Sequence, residues 1–248
     1  MTIRRPSFRR LTKRAFLVFL TLAATYVLLL VFPQPLFAHQ LEHEGIVLHA
    51  RRPIPYAMRQ TLERVQARLE RSPLYDRSQT FHVFICEPQW AFTLFARNNY
   101  KVGGIAHGYI GRHVFIRESD MDNDRLIGPS GEPVAADRPL SYFIAHELTH
   151  ILEARHLGIL GFARLPRWVN DGYADYVARD IDLGEALNGL KSNAPELDPA
   201  KSGLYLRYQL MVSFVLNVRG TSLTQLLDMQ DDGAAILRDL QSLGAYPR

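Results

Sequence analysis

The sequence predicts an α+β domain set behind one N-terminal apolar helix. Three observations carry that prediction. Short apolar runs bounded by turn residues, the mark of strands, lie in the first half of the chain. Helical periodicity takes over after Pro139 and largely persists to the end, and such segregation of strands from helices points to α+β. An uncharged run from Ala15 to Phe32 follows a basic block at the N-terminus.

That N-terminus comes first. Arg4, Arg5, Arg9, Arg10, Lys13 and Arg14 precede AFLVFLTLAATYVLLLVF, eighteen residues without a charge. As a helix this run rises ~27 Å, close to the hydrocarbon thickness of a bilayer. It is longer than the 7–15 apolar residues usual in a cleaved signal. Leu36 is also bulky for the −3 position of a cut after Ala38. The expectation is a retained signal-anchor: residues 1–14 a basic cytoplasmic tail, 15–32 a membrane-spanning helix, the rest extracytoplasmic. Cleavage would instead give a secreted domain. Pro33 and Pro35 end the helix.

Residues 33–53 read as a linker, with His39, His43 and His49 as solvated side chains. From residue 54 the chain reads as one folded domain to residue 248. Met58, Leu62, Val65 and Leu69 recur at helical spacing. FHVFIC at 81–86 reads as a buried strand. Residues 103–117 read as two short strands broken at Gly111, or one bent strand. The stretch 118–139 is polar and turn-rich. Its Asp120, Asp122 and Asp124 lack the glycine of an EF-hand calcium loop, because Arg125 stands there. Helices are expected from Ser141 to about Leu157, from Pro166 to about Asp180, over 204–218, after a capping box at Ser222 and Gln225, and over 234–243.

Composition limits the function classes. The chain has 248 residues, 47% apolar and 22% charged, enough for one sizeable domain and unlike a disordered chain. A single cysteine, Cys86, excludes an internal disulfide framework and a Cys-rich metal site. The net charge of +4 is local to the N-terminus: 23 of the 29 Lys/Arg and all 25 Asp/Glu lie in the last 210 residues, a balance of −2. No nucleic-acid partner is expected from such a domain.

His146-Glu147-Leu148-Thr149-His150 is the informative segment. Histidines at i and i+4 share one helix face, and their imidazoles can converge on one tetrahedral metal. Glu147 points to the side of the pair and can reach a water at the metal without occupying it. A catalytic zinc site needs a third protein ligand and an open fourth position. Two residues compete. HELTHILEARH has the spacing of the metzincin motif, but Glu153 stands where that family has glycine. A helix that continues past Glu153 carries His156 ~120° away from His150. Asp171 lies on the next predicted helix, which can pack antiparallel and turn a carboxylate to the two histidines.

That second helix carries Pro166, Trp168, Gly172, Ala174 and Tyr176 around Asp171. With HExxH it resembles the gluzincin metallopeptidases, the thermolysin-like and aminopeptidase-like zincins, whose second motif is P-x-W-x-x-E-G-x-A-x-Y. Asp171 stands where the family has its ligand Glu. The resemblance implies a zincin-like metallopeptidase domain, with a small sheet before a helical half, and a single Zn²⁺ on His146, His150 and Asp171. It implies Glu147 as general base and Tyr208 as oxyanion donor, with Tyr205 as rival. Asp175, one turn after Asp171, is expected to bind the outer nitrogen of a ligand histidine. An edge strand within 105–116 would pair with an extended peptide. Gly103-Gly104-Ile105-Ala106-His107 does not match the G-x-M-x-N segment of the aminopeptidases, which favours an endopeptidase. The expectation is a membrane-anchored zinc peptidase acting on peptide or protein substrates. The alternatives are a silent domain of this build that binds peptides or envelope partners, and a metal-dependent hydrolase of another bond.

Overall fold

Continuous apolar runs between turn residues build a mixed sheet, because strands covered on both faces have no polar side to present. The computed structural model describes residues 8–97, 99, 101–198, 203–230 and 232–244. Of the expected basic tail, residues 1–7 lie outside those described. The chain is α+β, opening with helix α1 (Phe8–Val31). Its stretch Thr12–Val31 is 20 residues of mean hydropathy 2.2, long and apolar enough to span a membrane or serve as a signal sequence.

The expected linker is a correction. Residues 39–50 form two strands, β1 (His39–His43) and β2 (Ile46–Ala50), paired antiparallel. The two-residue turn uses Glu44 and Gly45, both with positive φ, as a hairpin turn of this length requires. Glycine is needed for a second reason, since a Cβ at Gly45 would lie 2.7 Å from the Gln79 carbonyl. Ile46, Leu48 and Ala50 are fully buried, which a linker would not allow.

After β2 come α2 (Met58–Leu69), β3 (Phe81–Ile85), α3 (Gln89–Phe95), β4 (Gly104–Ala106) and β5 (His113–Ile116). The sheet order is β1-β2-β3-β5-β4. The three inner strands are parallel; β1 and β4 run antiparallel at the edges. The stretch 103–117 is thus two strands, with Gly111 at φ 70° between them. A small hairpin follows, β6 (Ser119–Asp120) and β7 (Arg125–Leu126). Here Asp124 acts as a cap: its carboxylate accepts from the Ser141 N–H at 2.7 Å and the Ser141 hydroxyl at 2.9 Å.

That cap starts α4 (Leu140–Arg164), which breaks direction at Gly158, where φ is 67° and ψ 179°. Then follow α5 (Arg167–Ala178), α6 (Leu183–Ser192), α7 (Gly203–Ser213), a π-helical turn over Phe214–Val218, α8 (Leu223–Leu227) and α9 (Gly233–Ser242). Ser222 and Gln225 form the expected capping box of α8. α5 and α7 approach closely because residue 172 is glycine; a Cβ there would sit 2.6 Å from the Tyr208 carbonyl.

One sheet face, with Leu48, Val83, Ile85, Val114 and Ile116, joins the core that holds Met58 and Leu62 of α2 and Ile144 and Leu148 of α4. The opposite face carries Phe84 and Phe115 with a row of histidines, His49, His82 and His113. Phe37, Phe92, Phe95 and Leu30 of α1 cover it. The end of α1 is bonded there: His113 Nε2 donates to the Val31 carbonyl at 3.0 Å, and Tyr26 Oη donates to the Leu94 carbonyl at 2.9 Å.

Candidate metal centre

The buried apolar flanks of α4 fix which way its polar residues point. Ile144, Ala145, Leu148, Ile151 and Leu152 pack into the core and turn His146 and His150 toward α5. Their Nε2 atoms face each other at 3.3 Å. Asp171 Oδ1 lies 3.8 Å from His150 Nε2. These three side chains offer ligand atoms all within 4.8 Å of one another and could hold a metal ion.

Both outer nitrogens are already engaged. Nδ1 of His146 meets Asp175 Oδ1 at 2.7 Å, and Nδ1 of His150 meets Glu153 Oε2 at 3.0 Å. Both carboxylates are fully buried. An imidazole that donates at Nδ1 keeps a lone pair at Nε2. Two such lone pairs cannot face each other without a cation between them, a proton or a metal. A tetrahedral zinc with bonds of about 2.0–2.1 Å separates its ligand atoms by roughly 3.3–3.4 Å. The observed Nε2 spacing matches that edge, and the Asp171 oxygen is slightly wider. The donor set, two imidazole nitrogens and a carboxylate oxygen, therefore fits a metal ion.

Charge balance agrees. Burial pushes His150 toward neutrality, but Glu153, Glu147 and Asp171 outweigh it and hold the imidazole at about 9. Burial likewise opposes the charge on His146, and Asp175 overcomes it, so its pKa also rises. Burial raises the carboxyls of Glu147 and Glu153 against the pull of the histidines. The cluster is thus four carboxylates gathered around two imidazoles, a site that attracts positive charge.

Asp171 is held from behind: its Oδ2 accepts from Arg167 Nε at 3.0 Å, one helical turn earlier. That leaves Oδ1 facing the histidines. Asp175 Oδ1 also accepts from the Tyr142 hydroxyl at 2.7 Å, so one carboxylate oxygen holds both groups. Glu147 lies beside the cluster in a cleft of about 460 Å³, lined also by Gly103, Gly104, Ala106, Phe143, Phe162 and Tyr205. Edge strand β4 forms its upper wall. Gly103 accepts from the Arg117 N–H, and the His107 N–H donates to the His113 carbonyl, toward β5. The antiparallel alternation therefore turns the backbone groups of Gly104 and Ala106 into the cleft. The nearby Ala106 backbone favours the charged form of Glu147 and offsets a small part of its burial-driven rise. A Cβ at Gly104 would be 2.7 Å from Glu147 Cγ, so only glycine lets the strand come this near.

The expected residues divide as follows. His146, Glu147, His150, Asp171 and Asp175 come together. His156 is exposed in the last turn before Gly158 and stands outside the cluster. Tyr208 is a correction: its side chain lies with Arg164, Pro166 and Trp168 on the far side of α5, outside the cleft. The reason is the close α5–α7 contact, which presses the Tyr208 backbone onto Gly172 and turns its ring away. Tyr205 lines the cleft instead, its ring centroid 6.0 Å from that of His146. Burial and Asp171 raise its pKa, so it keeps its proton. Glu153 and Arg167 went unrecognised in the sequence. Their i,i+3 and i,i+4 spacings to His150 and Asp171 were the available signal. Comparison with protein-family models, curated proteins and solved structures finds no match to this chain.

Proposed function

We propose that this protein is a zinc-dependent peptidase of zincin-like build, anchored by α1 with its catalytic domain outside the cytoplasm. The observation that carries the reading is the facing pair of Nε2 atoms, 3.3 Å apart, beside Glu147 and beneath an edge strand. His146, His150 and Asp171 would hold the metal. When bound, zinc supplies an acidified water and a Lewis acid for the substrate carbonyl.

The chain's own residues supply the rest. Asp175 and Glu153 fix both imidazoles in the Nδ1-protonated tautomer. Arg167 holds the Asp171 carboxylate in place. Glu147 takes a proton at its carboxylate and returns it to the leaving amine, and its burial-raised pKa suits both transfers. The Tyr205 hydroxyl donates to the oxygen that gains charge. Gly104 and the Ala106 carbonyl offer free backbone groups to an extended peptide, which would bind as an added strand. The basic residues before the apolar run favour a cytoplasmic N-terminus.

The test uses the full-length protein in detergent with one equivalent of zinc and a peptide library. Glu147→Ala should keep its metal and lose ~10²–10⁴-fold in turnover. Equal turnover by the variant would remove Glu147 from the chemistry. A zinc-loaded wild type that cleaves nothing would leave peptide binding as the better reading.

A further inference from the structure

We propose that α3 and the chain around it form a membrane-contact face that seats the domain on the bilayer holding α1. The inference rests on the reading of α1 as a retained span. Trp90 and Leu94 lie one turn apart on α3 and are exposed, Trp90 at 65%. Large exposed apolar side chains on a short helix need a partner when they adjoin a further apolar surface. That surface is α1 with its exit: Phe32 and Leu36 are likewise exposed.

The level of α3 is fixed by the Tyr26–Leu94 hydrogen bond. Tyr26 is five residues before Val31, about 7.5 Å down the helix. α3 therefore lies beside the last turns of the span, at the boundary where the acyl chains meet the headgroups. Tryptophan prefers that zone, with its ring among the acyl ends and its N–H toward water. The Arg51 guanidinium stands 5.8 Å from the Trp90 ring centroid, placed to meet a lipid phosphate. The occupant is thus a phospholipid bilayer surface.

A second contact links the end of α1 to the cleft. Gly111 abuts the Leu30 carbonyl, and Tyr109 two residues earlier packs on Phe162, which lines the cleft.

Tryptophan fluorescence tests the proposal. The chain has two tryptophans, and Trp168 is 4% exposed inside the domain. Full-length wild type and Trp90→Phe are reconstituted into phosphatidylcholine–phosphatidylglycerol vesicles containing lipids brominated high on the acyl chain. The wild type should lose up to about half of its emission, and Trp90→Phe almost none. Equal quenching of both proteins, or of neither, in protein that resists alkaline carbonate extraction would overturn the contact face alone. Release by carbonate would overturn the anchor reading and this proposal with it.

Discussion

Asp175 binds Nδ1 of His146 at 2.7 Å while its carboxylate is completely buried. A buried carboxylate fixed by the Tyr142 hydroxyl and an imidazole orients that imidazole and raises its basicity. Asp175→Asn keeps the shape and removes the charge. It should weaken zinc affinity by about 10–100-fold. Competition against a chromophoric chelator measures it, and unchanged affinity would remove Asp175 from the metal's support.

A metal held by His146 and His150 would compete with protons for the same nitrogens. The neighbouring carboxylates hold His150 at about 9 and also raise His146 in the metal-free protein. Below that pH a metal must displace protons, so apparent affinity should rise with pH from 6 to 9. Each displaced proton contributes about tenfold per pH unit. A chelator competition series across that range reads the slope, and a flat profile would contradict it.

Much of this centre was legible because its residues lie on single helices. HExxH and the Pro166–Tyr176 segment each place their side chains by helical spacing alone, and Gly158 marked the end of the α4 stem. What the sequence could not show depended on packing between elements. Tyr205 and Tyr208 are three residues apart on α7, and only the contact at Gly172 decides which one faces the cleft. The β1–β2 hairpin was hidden by its Glu44-Gly45 turn, not a usual hairpin pair, and by histidines that look solvated. His49 is instead 4% exposed, stacked on Phe84 in a second core that exists only once α1 and α3 cover the sheet.

That second core should be acid-labile. Burial, with His82 and His113 close by, lowers His49 from 6.5 to about 4. The unfolded chain takes up a proton below its pKa of 6.5 and the folded chain does not. Stability from this group is therefore intact above pH 6.5 and falls as the pH drops toward 4, by up to ~3 kcal/mol. His49→Phe should lose less stability than wild type between pH 7 and pH 4.5 in thermal melts. Parallel pH profiles for the two proteins would show that His49 does not titrate this way.

The most direct measurement is zinc per chain in the purified full-length protein, with Asp171→Ala and His156→Ala beside it. Wild type should hold one zinc, Asp171→Ala should lose it, and His156→Ala should keep it. A wild type that binds no zinc when supplied with it, or a His156→Ala that loses it, would contradict the His146–His150–Asp171 centre.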